Sequence, residues 1–500
     1  MSNRATELLL VFTTALAFYW VTLAPTVIWS DSAAFARQVL VGPLGFGTAS
    51  DHPLFIAIGR LLQPLPFELA WLLNLESALF GALAVAMVYR CARQIGTSPI
   101  AAAIGAAALG VSQAFWLHSV IAEVYSANAF FLAATLSFLL EWSVKQQWRY
   151  LAAAVVVFVI GLTNHLVLLA VMPAALVFVV ASNPRALIGR RVLLPAAGLA
   201  AAMVVIAVTV PPVANAIRHV WVGPPSIFEY FSLKIDPGPT LREARFYVMF
   251  FLYQFPSIAL PLGLFGIWAL YRTRAAVLAL LLLTITVNAG TFIRHTGFQS
   301  QGTTKFVFYI SDYVVFAIFC AAGADAAMRR LADRTAFSRQ RVGAAMLAVV
   351  AILPPALYAI VPYVASRSGI DLVGGSRLPY RDNQRFFLNP NKRGENGARR
   401  YATEAFTVMA PDAVLFADST PYEVLRYLQI VEHVRPDVTV RSAGGFAQKV
   451  EVRWITGERG RRPAYLARYE PDDYDLTAVA GTYELVPAGP VLEMRPHDRP

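Results

Sequence analysis

The chain has 500 residues, of which 57% are hydrophobic and only 15% charged, against about 25% charged in an average soluble protein. That excludes an ordinary water-soluble domain. A net charge of +11 would suit nucleic acid, but the basic residues collect between long apolar blocks, as they do in the cytoplasmic loops of membrane proteins, and nucleic acid is set aside as a partner.

About eleven apolar segments follow along the chain, at residues 8–28, 67–89, 99–117, 120–141, 150–163, 166–182, 192–214, 246–270, 275–293, 304–325 and 342–363. Most approach the ~20 residues that cross a hydrocarbon core, and lipid obliges a spanning segment to be helical. The first is long and has no small-x-small cleavage site, so it is read as a retained helix rather than a signal peptide. Basic residues flank the blocks: Arg90 and Arg93, Lys145 and Arg149, Arg185, Arg190 and Arg191, Arg272 and Arg274, and five arginines between 329 and 341. With these inside, the N-terminus is cytoplasmic and residues beyond about 364 are outside. Abundant Ala, and Arg far above Lys, point to a bacterial inner membrane and a periplasmic tail.

Two outer loops are long, 29–68 and 215–245. Residues 32–40 have helical amphipathic spacing and are expected to lie along the membrane interface. In the tail, 395–409 and 422–433 read as helices, 413–417 and 438–440 as strands, and 476–494 as short strands with turns. Strand, helix, strand at that spacing suggests a right-handed βαβ unit. The expected fold class is thus an α-helical polytopic membrane domain, residues 1–363, followed by a small extracytoplasmic α/β domain, residues 364–500.

Ionisable groups at the outer turns are the functional candidates. Asp31, in Trp29-Ser30-Asp31-Ser32, can act as a general base on an acceptor hydroxyl, or Ser30 or Asp31 can simply cap a helix. His52 can bind phosphate or relay a proton, or mark a plain turn before Pro53. Glu123, with His118 at the same turn, needs a partner or a cavity. Asn164 and His165 lie at the next outer turn. Arg294 with His295 and Lys305, or Arg242 and Arg245, can hold a phosphate. Asp473-Tyr474-Asp475 is read as a solvated turn, not a nucleotide-sugar motif. Gly42 to Gly47 follows no strand and is no phosphate loop. Cys91 and Cys320 give no disulfide framework, and no spacing suggests a metal site.

Several segments resemble glycosyltransferase family 117, GT-C enzymes related to transmembrane protein O-mannosyltransferases. They are Asp31-Ser-Ala-Ala-Phe35, His52-Pro53-Leu54, Gly59-Arg60-Leu61, residues 74–82, Ala122-Glu123-Val124-Tyr125 with Asn128, and Asn164-His165; the tail adds residues 397–401, 426–429 and 435–438. The resemblance implies a polyprenyl phosphate sugar as donor, an active site on the outer face, Asp31 as catalytic base, and Glu123, His52 and His165 around the cavity. The chain departs from the family at Ala33-Ala34, where a second acid is usual, and at Asp51-His52-Pro53-Leu54, a shortened form of the family's segment. The expected activity is inverting, metal-independent transfer of mannose or another hexose to a protein or cell-envelope glycan, with no cofactor. A lipid-linked sugar flippase is the rival, though no internal repeat of the kind transporters show is visible. A membrane-anchored binding protein would leave the outer polar residues unexplained.

Overall fold

The computed structural model describes residues 3–42, 51–186, 237–294, 306–374, 377–442, 462–468, 474 and 483–497. The membrane part comprises Asn3–Thr22 (α1), Asp31–Val41 (α2), Pro53–Leu62 (α3), Leu69–Gln94 (α4), Pro99–Gly110 (α5), Gln113–Leu117 (α6), Tyr125–Lys145 (α7), Trp148–Leu162 (α8) and Val171–Ser182 (α9). It continues with Pro237–Gln254 (α10), Ala259–Thr273 (α11), Ala275–Arg294 (α12), Ile310–Arg334 (α13) and Arg339–Arg367 (α14).

Among the described residues the expected segments do not all form full-length spans. Among the described residues six helices are long and apolar enough to cross a bilayer, or seven if α10 and α11 count as one broken span, and four more apolar helices are shorter. The reason is local. Hydropathy runs on unbroken through Pro256, but proline cannot donate the helical hydrogen bond, and α10 and α11 meet at 107°. The expected 99–117 span likewise divides at Val111 and Ser112 into α5 and α6. The expected span at 192–214 lies outside the described residues.

α13 is the buried centre, 94% of its most apolar window lying inside the protein. Its crossing with α11 is set by glycine: a methyl on Gly266 would strike the Phe319 carbonyl, and one on Gly323 the Leu262 carbonyl. With no hydrophobic drive between helices in lipid, such small residues let backbones pack directly.

The tail holds Asn383–Leu388 (α15), Gly397–Val408 (α16) and Ser419–Val431 (α17) with strands Val414–Ala417 (β1), Thr439–Ser442 (β2), Ala464–Leu466 (β3), Tyr483–Ala488 (β4) and Val491–Pro496 (β5). The sheet order is β2-β1-β3-β5-β4. β1 pairs parallel with β2, Val414 opposite Thr439, so β1, α17 and β2 form the expected βαβ unit. β4 and β5 form an antiparallel hairpin. Asp473 and Asp475 lie outside the described residues, but Tyr474 is not in a solvated turn: it is buried, and its hydroxyl donates to Asp418 Oδ2 at 2.9 Å.

Candidate active site

Four elements converge on the turn at residues 120–124, between α6 and α7. Pro25 ends the helical run of α1, and the chain continues extended, with Ala24 N–H donating to the Val120 carbonyl at 3.0 Å. Ser32 Oγ at the head of α2 donates to the Ala122 carbonyl at 3.0 Å. Ser77 Oγ on α4 donates to the Glu123 carbonyl and accepts from Glu123 N–H, each at 3.0 Å. Asn164 Nδ2, beyond α8, donates to the Val124 carbonyl at 2.9 Å. One helical turn above Ser77, Asn74 Nδ2 holds the carbonyls of Ala24 and Thr26 at 3.0 and 3.2 Å. These buried side chains satisfy backbone groups that the non-helical turn leaves open, and they fix Asp31, Glu123 and His165 around one recess.

Asp31 stands first in α2. Ser30 occupies the N-cap position, yet its side chain makes no capping bond and its φ is 65°. That conformation costs a non-glycine residue about 1–3 kcal/mol, the kind of strain that accumulates at functional sites. The expectation that Ser30 serves as the cap is therefore corrected. The apolar face of α2 packs on protein: Ser32, Ala33, Ala34, Phe35, Ala36 and Val39 are buried, with the tail helix α17 packed against α2. Asp31 keeps accessible surface while the protein around it still desolvates its carboxyl.

Burial, and then the Glu423 carboxylate, raise the Asp31 pKa above the ordinary aspartate range. Burial and then Asp31 push Glu123 well above its usual value. The two acids thus repel, and Glu123 holds its proton longer. Asp31 is left as the acid that ionises first, with the Ser30 hydroxyl hydrogen-bonded to it.

The imidazoles of His52 and His165 lie 5.0 Å apart, and Tyr125 stands 5.4 Å from His165. His52 Nδ1–H donates to the Asn164 carbonyl at 2.7 Å, which leaves its Nε2 as an acceptor. His165 Nδ1 accepts from Val167 N–H at 3.1 Å, so its Nε2 carries the hydrogen. Burial lowers both pKa values, and His52 lowers that of His165 further. Two neutral rings therefore offer the recess one acceptor and one donor. His118 follows on the other side of Tyr125, 5.4 Å away, held by burial at a pKa of about 4.

The tail closes the recess. Arg37 on α2 donates through Nε and Nη2 to Glu423 on α17, at 3.0 and 3.1 Å. Arg399 reaches Glu68 at 2.8 Å and Thr26 at 2.5 Å, and also pairs with Glu432. Lys392 N–H donates to the Thr22 carbonyl at 3.0 Å, and its buried ammonium, pulled down to about 7 by burial, is held by the carbonyls of Phe386 and Asn389 at 2.6 and 2.7 Å.

The sequence candidates Asp31, His52, Glu123, Asn164 and His165 are thus gathered at one place. Asn164 supports the turn rather than offering its amide nitrogen to a ligand. Arg242 and Arg294 lie on α10 and α12, and Arg242 is 3.7 Å from Glu243. His295 and Lys305 lie outside the described residues. Sequence reasoning missed Glu423, which nothing in α17 marks as facing Asp31, and the structural work of Asn74 and Ser77, polar residues within an apolar span that could have signalled it.

Residues 43–187 match the family model described as Protein O-mannosyl-transferase TMEM260 N-terminal domain, a stretch holding His52, Glu123, Asn164 and His165. The whole chain has the fold of ArnT from Cupriavidus metallidurans. The apo crystal structure of that protein superposes with a TM-score of 0.57 at 16% identity, covering 99% of this chain and 98% of that one. Its structure bound to undecaprenyl phosphate gives 0.56 at 15% identity, covering 97% of each.

Proposed function

From a polytopic membrane chain with the fold of ArnT, whose residues 43–187 match a protein O-mannosyltransferase family, we infer a membrane glycosyltransferase that takes its sugar from a polyprenyl phosphate. The observation that carries this reading is the recess itself, where an ionisable Asp31 and a proton-retaining Glu123 interact and two neutral imidazoles are tied to the same turn through Asn164. The undecaprenyl phosphate bound to ArnT supports a donor of that class.

In this reading the donor enters sideways from the lipid. Asp31 accepts the proton of the acceptor hydroxyl as the oxygen attacks the anomeric carbon from the face opposite the phosphate, which inverts that centre. The bond to phosphate breaks and its electrons leave with the phosphate oxygen, whose charge arginines offset; Arg242 and Arg294 are the candidates. Glu123, protonated, donates to the sugar or the acceptor. His52 Nε2 and His165 Nε2–H hold hydroxyls in place. With phosphate already a leaving group, no metal is called for. The acceptor is a protein or an envelope glycan, brought to the recess by the tail on the periplasmic side of the inner membrane, with the N-terminus cytoplasmic.

The test is a donor comparison with the purified full chain in lipid. Radiolabelled mannose and glucose are offered on polyprenyl phosphate and, separately, on nucleotides, with cell-envelope extract as acceptor. Transfer from the lipid carrier alone is expected. Transfer from the nucleotide sugar, or translocation of the intact lipid with no transfer, would overturn the reading.

A further inference from the structure

A second buried polar cluster stands beside the recess, where α10, α12 and the head of α13 meet. Asn288 on α12, and Tyr309, Asp312 and Tyr313 at the head of α13, are at most 1% exposed. Asn288 Nδ2 donates to the Phe308 carbonyl at 3.0 Å and to Asp312 Oδ1 at 3.1 Å. Asp312 lies within electrostatic reach of both tyrosines, and the tyrosines of each other. Yet among the described residues four polar atoms here have no partner at hydrogen-bond distance, Asn288 Oδ1, Tyr309 OH, Asp312 Oδ2 and Tyr313 OH, with the Tyr247 hydroxyl also turned toward the Asp312 carboxyl. Buried polar atoms are nearly always satisfied, so four orphans side by side call for an occupant.

The cluster borders the recess. Tyr125, which faces His165, also stands 6.0 Å from Phe308, the residue before Tyr309. Phe308 stacks on Phe292 at 4.8 Å, and Tyr247 stands 4.8 Å from Tyr309, so aromatic faces flank the polar atoms. Asn288 is six residues from the end of α12, about 9 Å below it.

The chemistry of the orphans selects the occupant. The Asn288 oxygen accepts, the Asp312 oxygen accepts when ionised and can donate when protonated, and the two hydroxyls do both. A phosphate would find no cation among the four residues and two acidic side chains close by, Asp312 and the buried Glu243 on α10. An acyl chain would leave all four atoms unsatisfied. A neutral polyol satisfies all of them.

We propose that Asn288, Tyr309, Asp312 and Tyr313 form a subsite for the hydroxyl edge of the hexose carried by the lipid donor. The proposal rests on the glycosyltransferase reading and adds to it where the sugar is recognised. A site built to hydrogen-bond hydroxyls discriminates strongly, because a ligand lacking them leaves its buried groups unpaired.

The experiment measures binding of three probes to the full-length protein in nanodiscs: polyprenyl phosphate mannose, polyprenyl phosphate glucose and bare polyprenyl phosphate. Wild type, Asp312→Asn and Tyr313→Phe are compared, with thermal midpoints recorded for each. Wild type is expected to prefer a sugar-bearing lipid. Asp312→Asn should lose roughly ten-fold of that preference and Tyr313→Phe several-fold, both keeping their affinity for the bare lipid. Variants that keep the preference would overturn the proposal and leave the cluster an internal hydrated network. Loss of affinity for all three probes along with a lowered midpoint would also overturn it, by making the cluster structural. A wild type that binds bare and sugar-bearing lipid equally would do the same. If wild type binds none of the probes, the glycosyltransferase reading falls first, and the subsite with it.

Discussion

The surroundings of Asp31 suit the base role proposed for it: Ser30 before it is strained, its carboxyl keeps accessible surface, and no described cation stands at salt-bridge distance. Its raised pKa has a readable consequence. A base must be ionised, so activity is lost as pH falls through the folded-state pKa, and here that acid limb lies above the ordinary aspartate value of about 4. Glu423 contributes to the elevation from the tail. Replacing it by Gln removes a negative neighbour and releases Arg37, both of which favour the carboxylate. The acid limb of kcat/KM in Glu423→Gln is therefore expected to move to lower pH. A limb that stays in place would remove Glu423 from the electrostatics of the site. In the sequence, Asp31, His52, Glu123 and His165 were legible as polar residues at successive outer turns. Glu423 and Asp312 were not picked out. Asp312 shares a span with Tyr309 and Tyr313, and an acid within an apolar helix was the available signal.

Among the elements, turns do the positioning and helix crossings hold the frame. The 120–124 turn receives bonds from α2, α4 and the segments after α1 and α8, so its geometry is set by residues far apart in sequence. No periodicity could have revealed that convergence, since it depends on register between helices. Hydropathy also failed at the helix breaks after Gly110 and Gln254, because a broken helix is as apolar as an intact one. The glycine crossing makes a direct prediction. Gly323→Ala forces α13 away from the Leu262 carbonyl on α11 and should cost about 1–3 kcal/mol, read as a lowered thermal midpoint in detergent. An unchanged midpoint would mean that the two helices can separate freely.

At the scale of the whole molecule, the tail is a seated part of the site rather than an appendage. Arg399 links Glu68 and Thr26 of the membrane part to Glu432 of the tail, and Tyr401 packs against Trp29 at 5.4 Å. Arg399→Ala leaves Glu68 and Glu432 facing each other unpaired. Because the arginine is only about two-thirds covered, a cost of about 1–2 kcal/mol is expected, seen as faster protease cleavage between residues 367 and 397. Cleavage at the wild-type rate would show that the other contacts seat the tail unaided. The division into an apolar bundle and a charged tail, and the βαβ unit within the tail, were legible from composition and strand spacing. That the tail covers α2 was not, because a helix buried between two parts shows the same amphipathic pattern as one lying on a membrane.

The central claim is that Asp31 removes the acceptor proton during sugar transfer from a lipid carrier. Its most direct test is single-turnover transfer from polyprenyl phosphate hexose by wild type and Asp31→Asn at equal amounts of folded protein. Asn keeps the size of the side chain and removes the base. In Asp31→Asn the rate is expected to fall by about 10²–10⁴-fold with donor binding retained. Equal rates would contradict it, and the base would then have to be sought elsewhere in the recess.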